Sequence, residues 1–244
     1  MLPASGCKIG IMNIIITGAS KGLGRAIAEK FAANGNDLFL CSRDPKALAA
    51  AALQLESRYP SISIRARAFD LGEKEQARGF GQWVLDTGES VDVLVNNAGQ
   101  FLPGSVRDEG EGVLEQLIAV NLYSAYHLTR TLLPAMIARK TGHIFNICSV
   151  ASLKAYPNGG AYSISKFALA GFSANLREEL KASGIKVTAV YPGAAYTDSW
   201  AGSGVDPDRI MEAADIAEML YAATTLSRQA TVEEILLRPQ LGDL

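Results

Sequence analysis

Three residues in the stretch 146–166, NICSVASLKAYPNGGAYSISK, have types and spacing that can do proton chemistry: Ser149, Tyr162 and Lys166. Tyr162 and Lys166 stand four apart, so on a helix they share one face. A phenol in water titrates near ~10 and is a poor acid or base at neutral pH. An ammonium within about 4–6 Å favours the phenolate and lowers that value. The expectation is a tyrosine tuned to exchange a proton near neutral pH, where general acid–base catalysis needs it. Ser149, at the end of an apolar run, would donate a hydrogen bond to the same substrate oxygen. By itself the Tyr–Lys spacing fits an exposed surface pair equally well, so the elements around it decide.

Those elements alternate strand and helix along the chain. The run 13–17 (NIIIT) predicts a buried strand. It leads into the glycine-rich loop Gly18-Ala19-Ser20-Lys21-Gly22-Leu23-Gly24 and an alanine-rich helix over 25–34. Strand, glycine loop and helix form the setting of a dinucleotide-binding turn, in which the backbone approaches a pyrophosphate and the helix start supplies free N–H groups. A second strand is expected over 37–41, followed by Ser42, Arg43 and Asp44. An acid here would bond the ribose 2′-hydroxyl of NAD. Arg43, with Lys21 in the loop, would instead clamp the 2′-phosphate of NADP. NADP is favoured, while Asp44 keeps NAD open.

A helix is expected over 45–59, then an alternating strand over 61–69 with one wet side, near a sheet edge. Asp70-Leu71 follows it, and 73–87 predicts a helix. The strand 91–95 leads to Asn96-Asn97-Ala98-Gly99. A single long helix is expected over 112–139, with Asn121 in its middle either serving a local kink or holding a role of its own. A strand over 143–148 delivers Ser149, and a helix over 161–182 carries Tyr162 and Lys166. A strand over 185–191 leads to Pro192-Gly193. The polar segment 197–212, with Trp200, reads as a mobile lid. A helix over 213–227 and a strand over 232–237 close the chain. The fold class is α/β: a single-domain Rossmann fold, with a doubly wound parallel sheet of about seven strands and helices on both faces. Residues 1–11 read as a flexible tail before one domain over 12–244. The glycine loop, Asp70, the 96–99 turn, Ser149 and Pro192 all fall at the carboxyl ends of strands, where such sheets bind ligands.

Composition fits this. The chain has 244 residues, 48% of them hydrophobic and 20% charged, with a formal net charge of -2. That balance, without a Lys/Arg block, argues against nucleic acid or anionic membrane as partners, and no apolar run reaches the ~18 residues of a membrane helix. Cys7, Cys41 and Cys148 contain no CxxC and read as reduced thiols of a cytoplasmic protein. His127 and His143 have no partner at metal-ligand spacing, so no metal is expected.

Taken together, these motifs resemble the short-chain dehydrogenase/reductase family, over Asn13 to about Pro239. The family's TGxxxGxG turn stands here as Thr17-Gly18 to Gly22-Leu23-Gly24, its NNAG as Asn96–Gly99, and its PGxxxT as Pro192-Gly193 to Thr197. Its Asn–Ser–Tyr–Lys tetrad matches Asn121, Ser149, Tyr162 and Lys166. The resemblance implies that Tyr162 protonates a carbonyl oxygen, that Ser149 positions that oxygen, and that Lys166 tunes the phenol and holds the nicotinamide ribose. Asn121 would anchor a water in a relay with Lys166. It also implies adenine contacts from Asp70 and Leu71, a cleft lined by Asn97, Ala98 and Gly99, and nicotinamide contacts from Pro192, Gly193 and Thr197. Ser20, Lys21, Ser42 and Arg43 complete the NADP(H) set. Two departures stand out: Ala195, where the family has valine or isoleucine behind the nicotinamide carboxamide, and Cys148 in place of a serine.

The implied activity is NADPH-dependent reduction of a small-molecule carbonyl to an alcohol, in a homotetramer or homodimer. An alcohol dehydrogenase running oxidatively and a non-catalytic nucleotide-sensing scaffold are the alternatives. The stretch after Thr197 is too short for the larger C-terminal region of extended sugar-nucleotide epimerases. Phe101, Leu102, Tyr156, Tyr196 and Trp200 would suit the wall of an apolar pocket, or plain packing.

Overall fold

A computed structural model describes residues 10–197 and 204–243. Seven strands form one parallel sheet: β1 (Asn13–Thr17), β2 (Asp37–Ser42), β3 (Ile64–Ala68), β4 (Val93–Asn96), β5 (Gly142–Ile147), β6 (Ile185–Pro192), and the last strand, β9 (Glu234–Leu237). Their spatial order is β3-β2-β1-β4-β5-β6-β9. A minor two-stranded pairing joins β7 (Ala195–Tyr196) to β8 (Met211–Glu212).

Alternation in the central strands explains the layers. Successive side chains of a strand point to opposite faces. Ile14 and Ile16 therefore pack one way, with Leu38, Leu40 and Val95, against Ile27 and Phe31 of α1 (Gly22–Ala33), Leu48 and Leu55 of α2 (Pro45–Arg58), and Ile216 and Leu220 of α7 (Ala213–Thr224). Ile15 packs the other way, with Phe39, Leu94 and Ile144, against Phe80 of α3 (Lys74–Leu85), Leu128 and Leu132 of α5 (Ser124–Arg139), and Leu176 of α6 (Gly160–Leu180). All five residues of β1 are buried, as a central strand covered on both faces requires. β3 lies at the edge, as its alternation predicts, although Ala66 on the face expected to be dry is exposed.

The order in which strands are added reverses between β1 and β4: β2 and β3 lie to one side, β5, β6 and β9 to the other. In a parallel sheet this opens a crevice at the strands' carboxyl ends. Two expected helices change shape. The first begins at Gly22 rather than Arg25, so the last three residues of the glycine loop are already helical. The long helix over 112–139 is divided into α4 (Val113–Ile118) and α5 by a π-helical turn, Ala119–Tyr123. Of the segment expected as a lid, 198–203 with Trp200 lie outside the described residues, as do Cys7 and the tail to residue 9; 204–212 carry a short 3-10 turn and β8.

Candidate active site

The glycine loop owes its shape to close approach. Gly18 (φ +65°) and Gly22 (φ +55°) occupy the left-handed region that side chains disfavour. A Cβ on Gly24 would lie 2.2 Å from the Gly18 carbonyl oxygen and 2.5 Å from Asn97 Nδ2. Asn97 is the brace: its Nδ2 donates to the carbonyls of Thr17 (2.8 Å) and Gly18 (3.2 Å). The Thr17 hydroxyl in turn accepts from the backbone N–H groups of Asn97 (2.9 Å) and Ala98 (2.8 Å). The first strand's loop and the fourth strand's turn are thereby one unit. At the start of α1 the N-cap residue, Lys21, makes no side-chain cap. The N-terminal N–H groups and positive dipole end of the helix supply the chemistry of an anion cradle. Thr197 sits against it, its Cβ 3.4 Å from where a Gly22 Cβ would stand. Gly193, on the same connection, donates its N–H to the Leu237 carbonyl (2.8 Å).

Next to this cradle, β2 ends in buried Ser42 and exposed Arg43. Asp44 is the N-cap of α2: its Oδ1 accepts from the N–H groups of Lys46 (2.8 Å) and Ala47 (3.2 Å), worth about 1 kcal/mol. Asp70 accepts from the Gly72 N–H through Oδ1 (3.0 Å), and Leu71 beside it is buried.

The proton-handling groups line the other side of the crevice. Ser149 follows β5 in extended backbone and its Oγ accepts from the Ala151 N–H (3.1 Å). The hydroxyl also hydrogen-bonds the Tyr162 phenol, an interaction that favours the phenolate. Phe101 meets the Tyr162 ring edge-on, centroids 4.8 Å apart and planes at 84°. Lys166 is buried at 5% exposure, and its Nζ donates to the Ile147 carbonyl (2.8 Å). The same Nζ lies 5.9 Å from the Tyr162 ring centroid, so both residues present the same face of α6. Asn121, at the centre of the π turn, is 1% exposed. Its Oδ1 accepts from the Gln100 N–H (2.7 Å), and its Nδ2 donates to the Gln100 carbonyl (3.1 Å) and to Ser165 Oγ (2.8 Å). Asn121 thus both sits at a kink and ties α6 to the loop after β4. A Cβ on Gly99 would meet Asn121 Oδ1 at 3.2 Å and Lys166 Nζ at 3.5 Å, so this glycine keeps the polar row open to the crevice.

One expectation is corrected. Lys166 does not lower the tyrosine here. Burial pushes Tyr162 up to about 12, ahead of the opposing Ser149 hydrogen bond. Burial likewise pushes Lys166 down to about 8. Both neutral forms are favoured because each charge would be taken out of water, and the amine's hydrogen bond goes to a carbonyl rather than to the phenol.

The chain matches the short chain dehydrogenase model over residues 12–207. It belongs to the short chain dehydrogenase family. Among relatives, the chain is 33% identical to a sepiapterin reductase of Chlorobaculum tepidum, covering 95% of this chain and 97% of that one. Two solved structures share the fold across 94% of this chain and 97% of theirs. One is a metagenomic short-chain oxidoreductase in complex with NADP, at 33% identity and a TM-score of 0.81. The other is an alcohol dehydrogenase from the archaeon Thermococcus sibiricus complexed with 5-hydroxy-NADP, at 26% and 0.86.

For this short chain dehydrogenase, every expected tetrad and cofactor position lies among the described residues: Ser149 follows β5, Asn121 stands in the π turn, and Tyr162 and Lys166 stand on α6. Ala195, the departure from the family pattern, is buried in the core as part of β7. Phe101, Tyr156 and Tyr196 are exposed and Leu102 is half-buried. Sequence reasoning missed Ser165, which holds Asn121, and the Ile147 carbonyl, which holds Lys166. Backbone acceptors leave no mark in sequence; Ser165, four residues after Ala161 on a mostly apolar face, offers only a buried hydroxyl as a signal. A separate concavity, lined by Met12, Asp92, Arg139, Gly142 and Lys186, opens at the strands' opposite ends, away from this chemistry.

Proposed function

We propose that this protein is an NADP(H)-dependent reductase that converts a carbonyl to an alcohol, with Tyr162 as general acid. The observation that carries the reading is the row Ser149–Tyr162–Lys166–Asn121 meeting Gly99 on one wall of a crevice whose other wall is a glycine cradle braced by Asn97. The cradle fits a pyrophosphate because its glycines let backbone approach closely and the start of α1 supplies N–H groups without a side-chain cap from Lys21. Gly18, Ser20, Lys21, Gly22, Leu23 and Gly24 would hold that group. Asp70 and Leu71 would flank the adenine, and Asn97, Ala98, Gly99, Pro192, Gly193 and Thr197 the nicotinamide side. NADPH, when bound, supplies the hydride.

This chain's residues do the rest. Tyr162, protonated well above neutral pH, holds the proton destined for the carbonyl oxygen. Ser149, fixed by Ala151, donates to the same oxygen. Lys166 and Asn121 form the polar floor that would keep the phenol supplied with protons. Two observations support NADP over NAD. The Asp44 carboxylate is occupied as a helix cap, and Arg43 stands exposed beyond β2, where it can pair with a 2′-phosphate. The complexes of the two structural neighbours with NADP and 5-hydroxy-NADP agree. The exposed rings of Phe101, Tyr156 and Tyr196 favour a moderately apolar substrate. Self-association is part of the proposal, since Ile137 on α5 and Ile164 and Phe167 on α6 are exposed.

The test is a panel of aldehydes, ketones, quinones and oxoacyl thioesters with NADPH and NADH side by side. Turnover should be found with NADPH. Tyr162→Phe should abolish it and leave NADPH affinity within about twofold of wild type, since a transition-state role shows in kcat. Retained turnover in that variant would reject the role.

A further inference from the structure

Helix α6 carries both Tyr162 and Lys166, yet its own N-terminus has no local cap. Gly159 precedes it without a side-chain hydrogen bond. The missing acceptor comes from far along the chain. Glu109 Oε1 accepts from the Ala161 N–H at 2.8 Å. Ala161 is the second helical residue, the position at which a capping oxygen ordinarily bonds. The slot for this carboxylate is made by two glycines. A Cβ on Gly160 (φ +36°) would lie 2.0 Å from Glu109 Oε1, and one on Gly104 would lie 2.6 Å from Glu109 Cγ. The segment bearing Glu109 is folded for the purpose: Asp108 and Glu109 both donate their N–H groups to the Ser105 carbonyl (2.8 Å each), and Gly104 donates to the Asn158 carbonyl (3.0 Å). The same loop holds Phe101 against the Tyr162 ring and has Gln100 clamped by Asn121.

We infer that Glu109 is a positioning residue: by capping α6 from across the crevice it locks the loop 100–109 to the first turn of the helix and so fixes where the Tyr162 hydroxyl stands. This rests on the proposed role of Tyr162. Glu109 spends its carboxylate on the helix backbone. It acts through Ala161, the neighbour of Tyr162, and through Phe101. Misplacement of a reacting group by about 1 Å can cost as much as ~100-fold in rate, and loss of a cap frees the first helical turn to fray.

The test compares the full chain with Glu109→Gln, which keeps an acceptor oxygen, and Glu109→Ala, which removes it. Amide hydrogen exchange over 159–166 should quicken in Glu109→Ala and stay near wild type in Glu109→Gln. With NADPH and para-nitrobenzaldehyde as the probe, kcat in Glu109→Ala should fall about tenfold or more. NADPH Kd should hold within about twofold, and the solvent deuterium isotope effect on kcat should rise as proton delivery becomes limiting. Glu109→Gln should restore kcat. Unchanged exchange in Glu109→Ala would overturn the cap, whether or not the protein reduces carbonyls. Faster exchange with unchanged kcat would overturn the positioning role. If the wild type reduces no carbonyl at all, the proposed function fails, and the exchange result still decides whether Glu109 caps the helix.

Discussion

Gly24→Ala is the sharpest perturbation of the cradle. The new methyl would stand 2.2 Å from the Gly18 carbonyl oxygen, where ordinary contact begins near 3.4 Å, and 2.5 Å from the Asn97 amide that holds the loop. Neither neighbour can swing away, because one is backbone and the other is tied to Thr17 and Gly18. The loop must therefore retreat by about 1 Å, at an overpacking cost of roughly 1–3 kcal/mol. Hydrogen bonds to an anion tolerate only a few tenths of an ångström about their usual ~2.9 Å. Such a retreat would forfeit at least one charge-assisted bond, worth about 1.5–3 kcal/mol. NADPH Kd should thus rise about 10–100-fold, as 1.4 kcal/mol is about tenfold. Gly35→Ala is the control: φ is +76° there and a Cβ would meet nothing within 4 Å. It should lose about 1–2 kcal/mol of stability to backbone strain and leave affinity alone. Fluorescence titration with NADPH and thermal melting, run on both variants, separate the two effects. Wild-type NADPH affinity in Gly24→Ala, or equal weakening in both, would refute the cradle.

Other outcomes follow from single groups. Arg43→Ala should raise the NADPH KM about 10–100-fold, the worth of one charge-assisted phosphate contact, and leave the NADH KM unchanged; equal effects on both would remove Arg43 from cofactor choice. Lys166, lowered from 10.5 to about 8, sheds its proton earlier in the folded chain than in the unfolded one. Its contribution to stability is present above the unfolded value and lost as pH falls toward 8. The stability of wild type relative to Lys166→Met should therefore climb by about 3 kcal/mol between pH 8 and 10.5 in denaturant titrations. His143, buried and lowered from 6.5 to about 3, obeys the same sign in acid: stability present above 6.5 is lost as pH falls toward 3, by up to about 4 kcal/mol, and His143→Gln should flatten that part of the acid profile.

The sheet was legible because its strands obey simple periods. NIIIT and DLFLC announce buried parallel strands by their unbroken apolar interiors, and β1 and β2 stand where those runs fall. The site was legible wherever side-chain chemistry sits at a strand's carboxyl end, as at Thr17, Asn97 and Ser149. Legibility failed where backbone geometry rules. The helix start at Gly22 rather than Arg25 follows from glycine helical propensity being poor in sequence yet irrelevant once a close approach demands it. The π turn at 119–123 replaces a run that reads as continuous helix, since one extra residue per turn alters no hydrophobic period strongly enough to show. Glu109 stands within an acidic, glycine-rich stretch that reads as solvated loop, and only the fold brings it to a helix start 52 positions away.

The phenol–ammonium pair shows why spacing cannot by itself assign a pKa. Four-residue spacing puts Tyr162 and Lys166 on one face, and Nζ at 5.9 Å from the ring agrees. Spacing says nothing of what else surrounds them. Burial is the largest influence on both groups, and removing water works against both charges. The tyrosine rises to about 12 and the lysine falls to about 8, so near neutral pH the phenol stays neutral beside an ammonium and no ion pair forms between them. The polar partners that remain are the Ser149 hydroxyl for the phenol and the Ile147 carbonyl for the amine. Tuning of the phenol toward neutral pH is therefore not a property of the helix. Lys166 Nζ lies 3.5 Å from where a Gly99 Cβ would stand, so an oxygen acceptor entering beside Gly99 would compete with the Ile147 carbonyl for it. A buried amine kept near its titration point responds strongly to such a change, because each added acceptor restores part of the hydration it lost.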